Sequence, residues 1–396
     1  MRGIHGFTLL MSALMLVGAG CLPTNRVPAT PKPPTPRPVY PPPDPDCDIT
    51  SIQKLATTYE NYSTLPGSTL KVISKQDPKG IYQVYTMEGD HAPVCISCAP
   101  VPGGPRVDRH KMMVGLHPSG RWIFVGVEED SHHLRWLPQS WQIELMQTGK
   151  WLNMWITTPR GDRWYQMTKF SSAPGSAQGY VGPPCSSDGK TAVWTELVDG
   201  NVLINRFGLW KLYAADFVVR DGVPSFINKR DMSPPGAHWL EVGNFAPDNR
   251  HILLSTDLGL PEPLNPEGQD QWSLDIYSGR LQRLTNTPTV WDEHGVYSPN
   301  GRKITFMSSY PYHLSDPNSY HTWTLRTEIM LMNADGSGLQ QLTHFNEPGH
   351  PESQVGNTVA AGGMFQDDGS LFVSVMSPNF GKTNWQIWFK RGCGMK

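Results

Sequence analysis

Two segments of this 396-residue chain bring together residue types that could do chemistry. They are His238-Trp239-Leu240-Glu241 and Val290-Trp291-Asp292-Glu293-His294. Trp239 aligns with Trp291 and Glu241 with Glu293, each pair at the same distance from a following turn. A related segment carries His110 at the Trp position with Arg109 beside it, and His350 and Glu352 precede a later turn more distantly. Carboxylates beside an imidazole can hold a divalent cation or grip a basic peptide. Flanking Trp rings can stack on a sugar or a peptide. Trp and Glu at equal repeat positions are also what packing between structural repeats would produce. His132 and His133 are scattered, and His117 sits in a turn where other copies carry Tyr297-Ser298 or Phe245-Ala246, which favours packing. Motifs of common enzymes are missing: there is no Gly-x-Ser-x-Gly elbow and no His-Glu-x-x-His pair. Asp335-Gly336-Ser337-Gly338 reads as a hairpin turn, not a phosphate loop.

The elements that position these residues repeat along the chain. A turn followed by an apolar strand occurs at Leu116–Phe124, Ser187–Trp194, Phe245–Leu253, Tyr297–Phe306 and Phe365–Val373. Its Gly or Asn stands at 120, 189, 249, 301 and 369, so the spacings are 69, 60, 52 and 68. Pro sets the first φ of such a turn, Asp or Asn bonds its own backbone, and Gly accepts a positive φ. A second element follows each turn: a strand, a polar turn, then a short strand ending in Leu-Thr or similar. Copies run from Ile81 to Ser97, Met154 to Thr168, Leu209 to Gly222, Trp272 to Thr285 and Ile329 to Thr343, and a sixth starts at Trp385–Phe389. Six units of roughly 58 residues, each built of two hairpins, predict a ring whose closure protects the strand edges. The predicted fold class is all-β: a six-bladed β-propeller with four-stranded blades, preceded by a signal peptide and a Pro-rich linker. Ring closure calls on residues near Leu65 to Ser74 to complete the sixth blade. The segments before the turns lead into the innermost strands, so His110, Trp239, Glu241, Trp291, Asp292, Glu293 and His294 are expected at one mouth of the central channel.

The pairing of Ser298-Pro299-Asn300-Gly301-Arg302-Lys303-Ile304 with Met332-Asn333-Ala334-Asp335-Gly336-Ser337-Gly338 and Gln341-Leu342-Thr343 resembles the WD-like repeats of the TolB-like β-propeller family of bacterial envelope proteins. The resemblance covers most of residues 80–390. It implies a six-bladed ring, an envelope location and binding to envelope proteins. It departs from TolB itself in that a Pro-rich linker stands where TolB has an N-terminal mixed domain, so TolB's own role does not transfer whole. Some propellers of this broad class are metal-dependent polysaccharide lyases that use channel histidines. His110, His294 and His350 are the candidates for that alternative, with a divalent metal in the channel.

Of six cysteines, Cys47 and Cys393 flank the folded region, and a bridge between them would fix closure. Cys95-Ile96-Ser97-Cys98 lacks the following helix of a redox motif, the His of a haem site and the second pair of a zinc ribbon. It reads as a local disulfide where other repeats carry Leu-Thr. Cys185 reads as a small buried residue.

Residues 1–20 read as a signal peptide, with an apolar run from Phe7 to Val17 that is too short to span a bilayer. Gly18-Ala19-Gly20 before Cys21 resembles a lipoprotein cleavage site, with Gly18 where Leu is usual. Lipidation of Cys21 would hold the protein to a membrane by an anchor alone. Residues 22–46 contain 11 prolines and favour a polyproline II spacer of roughly 75–80 Å. The expected organisation is therefore 1–20 signal peptide, 21–46 anchored linker and 47–396 propeller, on a protein exported to the periplasm or the cell surface. A net charge of −2, with 33 basic and 35 acidic residues, gives no field for a nucleic-acid partner.

Overall fold

The second strand of each blade shows how the sequence builds the ring. Short apolar runs such as Ile252-Leu253-Leu254 and Leu371-Phe372-Val373 are buried on both faces, because each blade is packed between two others. The computed structural model describes residues 47–56, 61–65, 67–89, 91–130, 142–143, 146–173, 176–182, 184–200, 208–260, 268–287, 289–312, 325–354, 356–366, 368–377 and 381–390. The expected signal peptide, the linker with Cys21, and His132, His133 and Cys393 lie outside these residues. Among the described residues no helix is long and apolar enough to cross a membrane.

The strands form six four-stranded antiparallel sheets. The first blade holds β2 (Asn61–Thr64), β3 (Leu70–Gln76), β4 (Tyr82–Glu88) and β5 (Val94–Cys95). The second holds β6 (Lys111–Leu116), β7 (Ile123–Glu128), β8 (Leu152–Thr157) and β9 (Trp164–Gln166). The third holds β10 (Gly179–Val181), β11 (Thr191–Asp199), β12 (Leu209–Arg220) and β13 (Val223–Asp231). The fourth holds β14 (Leu240–Phe245), β15 (His251–Thr256), β16 (Asp270–Asp275) and β17 (Leu281–Arg283). The fifth holds β18 (Asp292–Tyr297), β19 (Lys303–Ser308), β20 (Glu328–Asn333) and β21 (Gln340–Gln341). The sixth holds β22 (Val359–Phe365), β23 (Leu371–Ser377) and β24 (Gly381–Phe389), and its outer strand is β1 (Ile49–Lys54).

That last pairing corrects one expectation. The ring closes through Ile49–Lys54, with Ile52 opposite Ile387 and Lys54 opposite Trp385. Residues near Leu65 to Ser74 instead supply β3, the second strand of the first blade. The first blade also has its own inner turn, around Gly67 at φ 70°. Cys47, just ahead of β1, is fully buried and disulfide-bonded. Its expected partner Cys393 lies outside the described residues.

All five recurring turn positions have positive φ: 67° at Gly120, 68° at Gly189, 58° at Asn249, 72° at Gly301 and 82° at Gly369. The Leu-Thr endings also have a physical cause. The Thr285 hydroxyl accepts the Gln271 N–H at 3.0 Å and donates to Asp270 Oδ1 at 3.0 Å. Thr343 does the same between the Ile329 N–H (2.9 Å) and Glu328 Oε2 (2.7 Å), and Thr168 between the Met154 N–H (2.8 Å) and Asn153 Oδ1 (3.0 Å). In the first blade Ser97 takes this part between the Val84 N–H and Gln83 Oε1. Each such clamp fixes where one blade ends and the next begins. Between blades, aromatic pairs fill the gap: Trp210 meets Trp239 edge-on at 5.4 Å, and Phe345 meets Trp385 at 5.2 Å.

Candidate functional site in the central channel

Four inner strands carry a β-bulge at equivalent places: Met112/Gly115, Val242/Phe245, Glu293/Val296 and Ala360/Gly363. A bulge bends its strand and re-aims a side chain. In β18 the re-aimed residue is His294, held at φ 56°, a left-handed conformation uncommon for a residue with a Cβ. Gly362 of β22 faces it, and a Cβ there would stand 2.5 Å from the His294 Cβ. β14, β18 and β22 pack this closely because glycines occur at Gly243, Gly295, Gly362 and Gly363. A cavity of about 290 Å³ lies among them, lined by Gly243, His294, Ala361, Gly362 and Ser374 among others.

His294 Nε2 lies 3.2 Å from Glu241 Oε1, so the inner strands of the fourth and fifth blades converge there. Glu293 joins them, and one ligand atom from each of Glu241, Glu293 and His294 lies within 4.8 Å of the others. The Trp291 indole N–H donates to Glu293 Oε2 at 2.8 Å, and His294 Nδ1 lies 3.3 Å from Met307 Sδ. Burial and the neighbouring Glu241 charge push the Glu293 carboxyl up to about 8. Burial opposes charge on His294, but the two glutamates outweigh it and hold the imidazole up to about 9. Glu241 is likewise resisted by burial, yet His294 and the Glu293 hydrogen bond keep its carboxyl below the usual range. These directions favour a charged imidazole and one shared proton on the carboxylate pair near neutral pH.

The other residues expected at the mouth have different surroundings. Trp239 is buried against Trp210. His110 is buried in packing between the first two blades: its Nδ1 accepts the Tyr82 N–H at 3.2 Å, and its own N–H donates to Glu128 Oε2 at 3.1 Å. Asp292 is buried beneath Thr287 Oγ1 (2.7 Å) and Ser308 Oγ (2.5 Å), and burial pushes its carboxyl up to about 7. His117 bonds Gly189 O at 2.9 Å across a blade interface and packs against Phe217 with its ring tilted by 37°. Cys95 and Cys98 form a disulfide with Cα atoms 5.7 Å apart, bracketing the Ile96-Ser97 clamp. Cys185 is partly buried, and desolvation pushes its thiol well above the ordinary range.

No family model and no curated protein matches the chain. Solved structures do share its architecture. A TolB protein from Agrobacterium tumefaciens is 17% identical over 72% of this chain and 80% of its own, with a TM-score of 0.47. TolB from Acinetobacter baumannii is 14% identical over 80% of this chain and 63% of its own, with a TM-score of 0.44. An oligogalacturonate lyase in complex with manganese is 11% identical over 87% of this chain and 95% of its own, with a TM-score of 0.44. The six-bladed ring of four-stranded sheets is the fold that the TolB-like resemblance of the sequence implied. At these identities the likeness concerns architecture alone.

Sequence reasoning missed two sets of residues. Lys111 opens β6 fully buried, and its Nζ donates to the carbonyls of Arg106, Val107 and Arg109 at 2.9, 3.2 and 2.8 Å. Burial lowers its ammonium to about 8. A lone Lys before an apolar strand carries no pattern that would single it out. The second set, His344 and Glu347, did carry a signal: with His350 they stand three residues apart, directly after Leu342-Thr343.

Proposed function

We propose that this chain is an exported, envelope-tethered propeller that binds a protein partner, seating a cationic group of that partner against Glu241 and Glu293. The observation that carries this reading is the convergence of Glu241, Glu293 and His294, with His294 on the wall of a cavity. A buried carboxylate pair that holds a proton at neutral pH gains most from an incoming cation, which can take the proton's place. An arginine or lysine side chain supplies that charge at the end of a long apolar stem. The fold supports this role, and the signal sequence and Pro-rich spacer read from the sequence supply export and reach.

A divalent ion is the second cation the trio would accept. Metal content that falls with Glu293→Gln would assign the site to the ion instead. The polysaccharide-lyase alternative has less support, because His110 is buried between blades and only His294 of its three histidines belongs to the channel cluster.

The test uses n-butylguanidinium, a mimic of an arginine side chain, titrated into the protein while the His294 ring is followed by NMR. A saturable shift that disappears in Glu241→Gln/Glu293→Gln supports the reading. No saturable shift, or one that persists in the double variant, overturns it.

A further inference from the structure

The connection from β21 to β22 carries a second cluster that the channel reading does not use. His344 Nδ1 lies 3.2 Å from Glu347 Oε1, and His350 Nε2 lies 3.9 Å from Glu347 Oε2. Each carboxylate oxygen therefore faces one imidazole nitrogen, and ligand atoms of all three residues lie within 4.8 Å of one another. At metal–ligand distances near 2.0–2.2 Å, ligand atoms around one zinc ion stand about 3.4 Å apart, close to these separations. All three side chains are partly exposed, at 30%, 37% and 41% for His344, Glu347 and His350, so an ion has access.

The loop that bears them is fixed at both ends. The buried Glu328 carboxylate accepts the N–H groups of Phe345 and Asn346, each at 2.8 Å, and the Phe345 ring is buried against Trp385. Downstream, Glu352 Oε1 accepts the His344 N–H at 3.1 Å, and the Gln354 N–H donates to Phe345 O at 2.7 Å. Gln341 Nε2 lies 2.7 Å from Glu347 Oε1 and 3.1 Å from His344 Nδ1, so its amide holds the lone pairs an ion would take and must turn aside when one binds. The two imidazole rings stack at 3.9 Å with a 14° tilt, so ion binding must splay them until both lone pairs meet the metal.

We propose that His344, Glu347 and His350 form a site for a borderline divalent transition metal of the zinc class. Two imidazoles and one carboxylate suit zinc better than magnesium or calcium, which prefer oxygen ligands throughout. Three protein ligands leave a position open for water or for a group of a bound molecule. The loop leads into an inner strand, as the segments before β14 and β18 do, so the site lies on the same face of the ring as the leads into Glu241 and Glu293.

Equilibrium dialysis of the purified protein against Zn²⁺, followed by elemental mass spectrometry, tests this. Wild type and Glu241→Gln/Glu293→Gln should each retain one equivalent at this loop. His350→Ala and the near-isosteric Glu347→Gln should lose it, with unchanged circular dichroism. Gln341→Ala, which frees those two ligand atoms, should leave the stoichiometry intact and bind zinc no more weakly than wild type. The proposal is overturned if wild type retains no zinc, if His350→Ala and Glu347→Gln retain the wild-type amount, or if only the channel variant loses it.

Discussion

At the scale of single residues, the channel trio is a proton-holding device set by burial and charge. The Glu293 carboxyl titrates near 8 in the fold against an ordinary 4.5, and the His294 imidazole near 9 against 6.5. Both folded values are raised, so both contributions to stability are complete at low pH and decline as pH rises, through about 8 for Glu293 and about 9 for His294. Glu293→Gln removes one of these titrations. Its melting temperature should fall less steeply between pH 5 and pH 9 than that of wild type, which a series of thermal melts will show. An identical slope would mean that Glu293 does not hold the proton. His294 reports the same balance by NMR: with Glu241→Gln its imidazole should titrate below 9, because burial then meets less opposing charge. The sequence disclosed Trp291, Glu293 and Glu241 as aligned positions. It could not disclose that His294 is turned by a bulge toward Glu241 on the neighbouring strand, because a positive φ at a His leaves no mark in residue type or spacing.

At the scale of elements, the recurring Leu-Thr is a hydrogen-bonding device as well as a packing one. Replacing Thr343 by Val leaves the Ile329 N–H without its partner and takes one of two donors from the buried Glu328 Oε2, which keeps the Phe345 N–H. The expected cost is about 1–3 kcal/mol in urea denaturation. The inner strands make a second prediction. A Cβ at Gly295 would fall on Gln271 Oε1, and Gln271 is held by its own bonds to Ser255 and to the Asp292 carbonyl. Gly295→Ala should therefore destabilise by about 1–3 kcal/mol. Turns were legible because Gly and Asn tolerate their positive φ best, and all five align. The closing strand was not. Ile49–Lys54 mixes exposed and half-buried positions, as an outer strand does, and lacks the apolar run that marked the inner ones.

At the scale of the molecule, one fact organises the rest: a six-bladed ring whose last blade is completed by the strand nearest the N-terminal end of the folded region. Closure removes the open edge that β24 would otherwise present. The Cys47 disulfide stands next to that seam. Cys47→Ser should cost roughly 2–5 kcal/mol in denaturant unfolding and leave the native fold in place. The repeat period made this architecture readable, since it needs only turns and apolar alternation. The ligand was not readable, because the residues that would bind it come from different blades and meet only after the ring has closed.

The central claim, that the channel carboxylates seat a cationic group of a protein partner, is tested most directly by photo-crosslinking. A photoreactive residue at Ala361, on the cavity wall, would be activated in cells of the native host. The account predicts a discrete protein adduct with wild type that is lost in Glu241→Gln/Glu293→Gln. The same adduct in both proteins, or none in either, would contradict it.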